Sequence, residues 1–266
     1  MTDSIEPINI LLSREELLLT LRALQVESIP GIDSDPLGNL TPEGLDIAMT
    51  VAERALRARE LAQVREDGTL VLHNLLLTAV GVCAYATETI FVYHWLEDGD
   101  LPVRYFGHIR DDDFVAHTRP SDVLHLFTLL PSKEQMVAQI SQLCAWEDKR
   151  QAQQNGAYAL EVANFGQVRQ WAREGEVDTA VSHLKEHQAN PAAAAALVDT
   201  LAHSPHVSIL QMLKQQDDEQ IAKRDFTVVQ DQEHFWLMTS PTGNVTDPLT
   251  VKTAVKEDIV SLINDW

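Results

Sequence analysis

The sequence has few cysteines and few basic residues, and each shortage excludes a class of protein. There are only two cysteines, Cys83 and Cys144, too few for the disulfide framework of a small secreted domain. Twenty Lys and Arg residues stand against forty Asp and Glu residues, which gives a formal net charge of −20. Such a field repels phosphate backbones and anionic lipid headgroups, so we expect neither nucleic acid nor a membrane surface as a partner.

The sequence also has no hydrophobic run long enough for a membrane-spanning helix. Its most apolar segment, residues 70–86, contains His73, Asn74, Thr78 and Gly81, whereas a spanning helix needs about 20 apolar residues. This segment is therefore predicted to be a buried core helix. The first ten residues, MTDSIEPINI, contain neither a basic stretch nor an apolar one, so we expect no secretory signal and a cytoplasmic location.

Motifs for cofactor binding and nucleophilic catalysis are missing as well. The chain contains no G-x-G-x-x-G, no phosphate-binding P-loop and no G-x-S-x-G. Cys83 lies in the apolar segment, where burial would raise the pKa of its thiol and make it a poor nucleophile. We therefore expect no cofactor, and we favour a protein-binding role over catalysis.

What the chain does contain is a set of clear helix starts. Ser13 precedes Glu16 as in a capping box, and leucines follow at helical spacing. Thr41 and Pro42 combine an N-cap with a first-turn proline. The helix after Thr41 is predicted to bury an apolar stripe, formed by Leu45, Ala48, Met49, Ala52 and Leu56.

Short segments rich in β-branched and aromatic residues occur in two groups of four. The first group, between residues 88 and 130, reads ETIFVYHWL, LPVRYFGHIR, FVAHT and DVLHLFTLL, and a helix follows it. The second group, between residues 207 and 255, reads VSILQML, RDFTVVQ, HFWLMT and LTVKTAV, and a last helix follows. A polar connection at residues 147–157, a strand-like YALEVA and two or three helices lie between the groups. Each group predicts an antiparallel meander.

The two groups align residue by residue, which indicates an internal duplication. The matches are Arg104 with Arg224 and Phe106 with Phe226 at an offset of 120, Phe114 with Phe235 at 121, and Leu126 with Leu249 at 123. The offset rises only at predicted turns, as loop insertions would make it. We therefore predict an α/β (α+β) fold with an internally duplicated, antiparallel sheet flanked by helices and related by pseudo-twofold symmetry. The first helices-strands-helix repeat would span residues 1–150 and the second 151–266, both within one compact domain.

This order of elements resembles that of the EspG-like family of type VII secretion chaperones. The local sequence agrees at Leu12-Ser-Arg-Glu-Glu-Leu-Leu, at -RALRARELAQVREDG- and at -SKEQMVAQISQL-, which ends the first half. The resemblance implies a cytoplasmic protein that binds the helical tip of a secreted substrate pair, keeps it soluble and delivers it to the export machinery. It therefore implies a chaperone or adaptor whose partner is another protein, an amphipathic helical pair.

One short motif favours a different function. His183-Leu-Lys-Glu186-His187 fits H-x-x-E-H, in which two histidines one turn apart bind zinc and the glutamate polarises a metal-bound water. The alternative hypothesis is therefore a zinc-dependent hydrolase that uses His183, Glu186 and His187. Against it, histidines in a last helical turn complement the helix dipole without any metal. No third ligand can be identified in the sequence.

Two further groups of residues have a structural interpretation beside a functional one. His94, His108, His117 and His125 would meet if their strands lay side by side, but scattered, half-exposed strand positions are the simpler interpretation. Asp111-Asp112-Asp113 offers carboxylates to a divalent cation, yet aspartates are common in hairpin turns. We therefore predict no metal site from either group.

The candidate protein-binding face lies on the second strand of the first group. Alternation along this strand places Arg104, Phe106, His108 and Arg110 on one side. Because arginine and aromatic residues are enriched at interfaces, this face could dock an acidic or amphipathic partner, whereas a solvated sheet surface is the alternative. The second group lacks the histidine and the second arginine, so binding would be asymmetric; its matching positions are Arg224, Phe226, Val228 and Gln230.

Overall fold

The structure, a computed structural model, describes most of the chain. The described residues are 6–32, 40–96, 101–146, 157–187, 189–203, 206–216, 220–232, 234–240 and 247–266. They form antiparallel sheets flanked by helices, which confirms the predicted α/β class. Two compact units are present, one made of the residues up to Thr89 with Tyr105–Met136, and one made of Ile90–Arg104 with the residues from Val137 onward. The predicted boundary at residues 150 and 151 lies outside the described residues.

Twelve strands and eight helices occur in the described residues. The strands are β1 (Ile8–Ser13), β2 (Ala62–Val64), β3 (Leu70–Leu72), β4 (Glu88–Trp95), β5 (Val103–Arg110), β6 (Asp113–Ser121), β7 (Leu124–Leu130), β8 (Tyr158–Leu160), β9 (His206–Gln215), β10 (Ile221–Gln230), β11 (Phe235–Thr239) and β12 (Leu249–Ala254). The helices are α1 (Arg14–Ala23), α2 (Pro42–Ala58), α3 (Asn74–Ala84), α4 (Lys133–Leu143), α5 (Val162–Glu174), α6 (Val177–Glu186), α7 (Pro191–Ala202) and α8 (Lys256–Asn264). Both predicted groups of four strands are therefore confirmed, and each precedes its predicted helix. Among the helices of the described residues, none is both long enough and apolar enough to cross a membrane.

The predicted helix starts are confirmed by their hydrogen bonds. Ser13 Oγ accepts a hydrogen bond from the Glu16 N–H at 3.2 Å, and the Glu16 carboxylate accepts one from the Ser13 N–H at 2.8 Å. Thr41 Oγ1 accepts a hydrogen bond from the Gly44 N–H at 3.2 Å, and Pro42 opens α2. These bonds satisfy backbone donors that the first turn of a helix leaves open.

Two segments differ from the sequence-based expectation. Leu70–Leu72, predicted as the start of the apolar helix, forms β3 and pairs with β2 around a turn where Gly68 has a φ of 83°. The helix begins only at Asn74, where His73 Nδ1 accepts a hydrogen bond from the Leu75 N–H at 3.2 Å. Strand β1 has no counterpart among the predicted elements.

In the first unit the strands lie in the order β1-β7-β6-β5, and each pair of neighbours is antiparallel. Ile10 lies opposite Phe127, and Phe127 lies opposite His117. His117 in turn lies opposite Phe106, so these four side chains share one face of the sheet. Ile10 and Phe127 pack in one hydrophobic core with the helices α1, α2 and α3, whose buried side chains include Leu17, Leu21, Leu56, Leu76, Ala79 and Val80.

In the second unit the strands lie in the order β4-β9-β10-β11-β12-β8. The longest ladder joins β9 and β10, which pair antiparallel from His206–Gln215 to Ile221–Gln230. A second core lies between this sheet and the helices α5, α6 and α7, and includes Trp236, Leu184 and Leu197. Trp236 Nε1 donates a hydrogen bond to Thr200 Oγ1 at 3.2 Å, so the indole of this core residue keeps a polar partner.

The two hairpins of the predicted repeat have matching registers. In β5–β6, Ile109 lies opposite Phe114, and Arg110 lies opposite Asp113. In β10–β11, Gln230 lies opposite Phe235, and the Asp231 N–H donates a hydrogen bond to the His234 carbonyl oxygen at 3.2 Å. These registers are compatible with the offset of 121 that matches Phe114 with Phe235, and the internal duplication stays a prediction.

Candidate functional site

The predicted binding face on β5 is divided between exposed and buried positions. Arg104 and Arg110 are exposed, whereas Phe106 is 2% exposed and His108 is fully buried. Phe106 and His108 therefore offer no surface to a partner. Binding by the two arginines stays a prediction, with Arg110 in the first unit and Arg104 in the second.

This burial arises because β5 is covered on both faces. On the face of Phe106 the backbone at Gly31 approaches so closely that an added Cβ would lie 2.6 Å from the ring. On the opposite face an added Cβ at Gly107 would lie 2.5 Å from the sulfur of Met136, in α4. Alternating polar and apolar residues usually indicate a strand with one solvated face, so the sequence pattern of β5 is misleading here.

Arg110 lies over an exposed aromatic ring. Its guanidinium carbon is 5.4 Å from the ring centroid of Tyr85, within the range of a cation–π interaction. Tyr85 is 48% exposed, and its hydroxyl donates a hydrogen bond to the Leu24 carbonyl oxygen at 3.2 Å. The Arg110–Tyr85 pair is therefore a fixed, exposed cationic and aromatic surface of the kind found at protein interfaces.

Three of the four strand histidines form a buried cluster, which corrects the expectation of scattered, half-exposed positions. His108, His117 and His125 lie on the neighbouring strands β5, β6 and β7, and each is at most 2% exposed. The ring centroids of His108 and His117 are 6.2 Å apart, and those of His117 and His125 are 5.2 Å apart. His117 also stacks on Phe127, with 4.6 Å between the centroids. The strand register brings these rings together.

The burial of the cluster favours the neutral form of its imidazoles. His117 Nε2 lies 3.0 Å from His125 Nδ1, so one nitrogen carries the proton and the other accepts the hydrogen bond. Burial lowers the pKa of His108 to about 3. Burial also lowers the pKa of His117 well below its usual value, and the charges of His108, His125 and Arg119 lower it further. Proton uptake by the rings of His108 and His117 is therefore strongly disfavoured near neutral pH.

The cluster does not have the geometry of a metal site. Across the described ranges, no group of three His, Cys, Asp or Glu side chains is placed to hold a metal ion. Both ring nitrogens of His108 and Nδ1 of His117 are buried without a hydrogen-bond partner in the described part of the chain. Unsatisfied buried nitrogens cost stability, so this part of the core contains a local energetic defect.

His94 belongs to the second unit and has its own partners there. Its Nδ1 lies 2.9 Å from Ser208 Oγ, and its ring meets that of His206 edge-to-face at 5.7 Å. Burial lowers the pKa of His94 to about 4, and the charge of His206 contributes to the shift. His94 is therefore also held neutral near neutral pH.

The H-x-x-E-H residues lie at the end of α6, where hydrogen bonds occupy both ring nitrogens of His187, whereas His183 Nε2 is buried without a hydrogen-bond partner among the described residues. His187 Nδ1 donates to the His183 carbonyl oxygen at 2.9 Å. Its Nε2 then accepts from Asn164 Nδ2 at 3.0 Å, so neither nitrogen of His187 offers a lone pair to a metal. The His183 ring packs edge-to-face on Trp171 at 5.3 Å, beside a shallow hollow that Glu186 also lines. In this arrangement the motif forms the C-terminal end of α6, and its hydrogen bonds do not favour a zinc-dependent hydrolase.

Both cysteines are buried thiols. Cys83 donates a weak hydrogen bond to the Ala79 carbonyl oxygen at 3.2 Å, and burial raises the pKa of its thiol well above the usual value. Burial raises the pKa of Cys144 to about 12. The predicted character of Cys83 is confirmed, since a thiol that stays protonated is a poor nucleophile.

An exposed apolar strip on α2 was absent from the sequence-based predictions. Ile47 is 66% exposed and Val51 is 57% exposed, one helical turn apart. Leu40, just before the helix, is 46% exposed. The predicted stripe faces the other way, because Ala52 and Leu56 are buried. The sequence signal for this strip was the four-residue spacing of Ile47 and Val51, two apolar residues that do not belong to the stripe facing the core.

The fold has a counterpart among solved structures, although neither a protein-family model nor a curated protein matches the sequence. The structure of the Mycobacterium tuberculosis type VII secretion system chaperone EspG5, in complex with the PE25–PPE41 dimer, matches with a TM-score of 0.65 and 11% sequence identity. The match covers 97% of this chain and 95% of that chain. At this identity the likeness shows the fold alone, so the resemblance to the EspG-like family is confirmed at the level of fold.

Proposed function

We propose that this chain is a protein-binding chaperone or adaptor that acts in the cytoplasm on a helical secretion substrate pair. The observation that carries the proposal is the likeness in fold to EspG5 over nearly the full length of both chains. That chaperone is seen in complex with a protein dimer. Two proteins that share a fold over their full length can bind partners in the same way although most of their residues differ.

The charges of the chain support a protein partner. A net charge of −20 repels polyanions such as nucleic acid and anionic membranes, whereas a single exposed cation can pair with one carboxylate of an amphipathic protein segment. Arg110 is such a cation, and its position over the Tyr85 ring holds it in place. We assign the Arg110–Tyr85 pair to the binding surface.

Co-expression tests this function directly. A helical substrate pair encoded beside the gene would be produced with and without this chain, and its soluble fraction would be compared. We expect the pair to be soluble only with the chain, and to elute with it as one complex in gel filtration with light scattering. A pair that is equally soluble alone and elutes separately would contradict the proposal.

A charge reversal tests the assigned surface separately. Arg110→Glu should weaken binding of the pair by about tenfold or more, as loss of an interface arginine often does. Arg65→Glu is the matched control, because Arg65 is also an exposed cation of the first unit and the substitution changes the net charge equally. Equal affinities for the two variants would remove Arg110 from the binding surface and leave the chaperone function standing.

A further inference from the structure

We propose that the outer face of α2 is a self-association surface, on which the α2 helix of a second copy of this chain packs antiparallel. This face consists of Leu40, Glu43, Ile47, Val51 and Arg54, and it lies in the first unit. The proposal goes beyond the chaperone function and does not depend on it.

The outer face of α2 exposes apolar side chains in one row. Ile47 and Val51 are 66% and 57% exposed and lie one turn apart, so they share one face of the helix. Leu40, which is 46% exposed, lies just before the helix. A contiguous apolar row on a helix whose other side already packs in the core is a surface that a partner would cover.

Helix α2 is held firmly and can act as a rigid platform. Leu56 is buried in the core of the first unit, and Ala52 is buried on the same side of the helix. Thr41 caps the first turn through the Gly44 N–H, with Pro42 behind it. A helix fixed at its start and along its inner side loses little conformational entropy when its outer side is covered.

The outer face of α2 is complementary to itself. When Ile47 is placed opposite the partner's Val51 in an antiparallel pair, Glu43 comes beside the partner's Arg54. A twofold axis repeats each of these contacts, so apolar residues meet in the centre and opposite charges meet at both ends. A parallel pair would instead place Glu43 beside Glu43.

This symmetry favours a second copy of the chain as the partner, because a helix of another protein would need the same charged and apolar residues in the same order. One helix pair is a small interface, so we expect weak association, in the range from about 10 μM to about 1 mM. The net charge of −20 on each copy opposes association at low salt. Salt at about 0.15 M screens this repulsion at distances beyond about 8 Å and weakens the contacts at the interface less.

Sedimentation of the full chain over that concentration range tests the proposal. We expect a monomer–dimer equilibrium, which Ile47→Glu should weaken by about tenfold or more. Ile221→Glu is the matched control, because Ile221 is equally exposed at 66%, lies in the second unit and adds the same charge. A chain that stays monomeric throughout, or a dimer that both variants weaken equally, would overturn the proposal.

A charge exchange tests the antiparallel register. Glu43→Arg and Arg54→Glu should each weaken the dimer, because each places like charges together. The double variant Glu43→Arg/Arg54→Glu restores opposite charges at both ends and should return the dissociation constant to within about threefold of the original. Circular dichroism would confirm that the variants stay folded. A double variant that is weaker than both single variants would refute this register.

Discussion

Acidification should destabilise this protein through its buried histidines. An exposed imidazole in the unfolded chain takes up a proton near its usual pKa of 6.5, whereas burial lowers the pKa to about 3 for His108 and to about 4 for His94. Between these values and 6.5 the unfolded state binds more protons than the folded state. The free energy of unfolding therefore decreases as the pH falls through this window, and the contribution is fully present above it.

The size of the effect follows from the difference in proton binding. A difference of one pKa unit between the two states is worth about 1.4 kcal/mol. Between about pH 7 and about pH 5, each histidine that stays neutral in the folded state should therefore remove about 2 kcal/mol. His94 and His108 together would remove about 4 kcal/mol, a large share of a typical stability of about 5–15 kcal/mol.

Urea unfolding followed by circular dichroism at the two pH values measures this loss, and His108→Leu isolates one part of it. The wild type should lose about 2 kcal/mol more than this variant on acidification, because leucine does not titrate. At neutral pH the variant should be at least as stable as the wild type. Both ring nitrogens of His108 lack partners among the described residues, and each such group costs about 1–3 kcal/mol.

His203→Leu is the matched control, because it replaces a histidine whose side chain is 72% exposed instead of buried. If the wild type and His108→Leu lose the same free energy between the two pH values, the burial argument is refuted. A loss that His203→Leu abolishes would also refute it, because the effect would then come from an exposed group.

Two further predictions concern the loop glycines and the zinc hypothesis. Gly31→Ala should lower the free energy of unfolding by about 1–3 kcal/mol more than Gly68→Ala. Both glycines have positive φ, but only a Cβ at position 31 would collide with the Phe106 ring. Equal losses in urea unfolding would show that the Phe106 ring moves aside without loss of stability. Purified protein should contain no stoichiometric zinc by elemental analysis, because both nitrogens of His187 are hydrogen-bonded. Stoichiometric zinc that is lost in His183→Ala would instead support the hydrolase.

Local features of the fold were predictable from the sequence, because a few neighbouring residues determine them. The capping box of Ser13 and Glu16 lies within one turn, and the strands of both groups show their composition within a few residues. The internal repeat also rests on short local matches between the two groups of strands, and it stays a prediction.

The candidate sites were less predictable, because contacts between distant segments determine them. Phe106 and His108 appeared to be solvated on the basis of alternation alone, but residues around Gly31 and α4 cover β5. The histidine cluster depends on the register of three strands. The H-x-x-E-H motif has the spacing of a metal site, but the distant Asn164 occupies Nε2 of His187. Each of these contacts joins segments that a short sequence window does not contain.

The contact between Gly31 and Phe106 constrains the order in which this sequence can evolve. A larger residue at position 31 collides with the ring as long as Phe106 is present. A smaller residue at position 106 leaves a cavity, which lowers the stability but causes no collision with any residue at position 31. Substitutions at these two positions should therefore accumulate in one direction, with position 106 changing before position 31. The positive φ of Gly31 then restricts its replacements mainly to residues such as asparagine that tolerate a left-handed backbone.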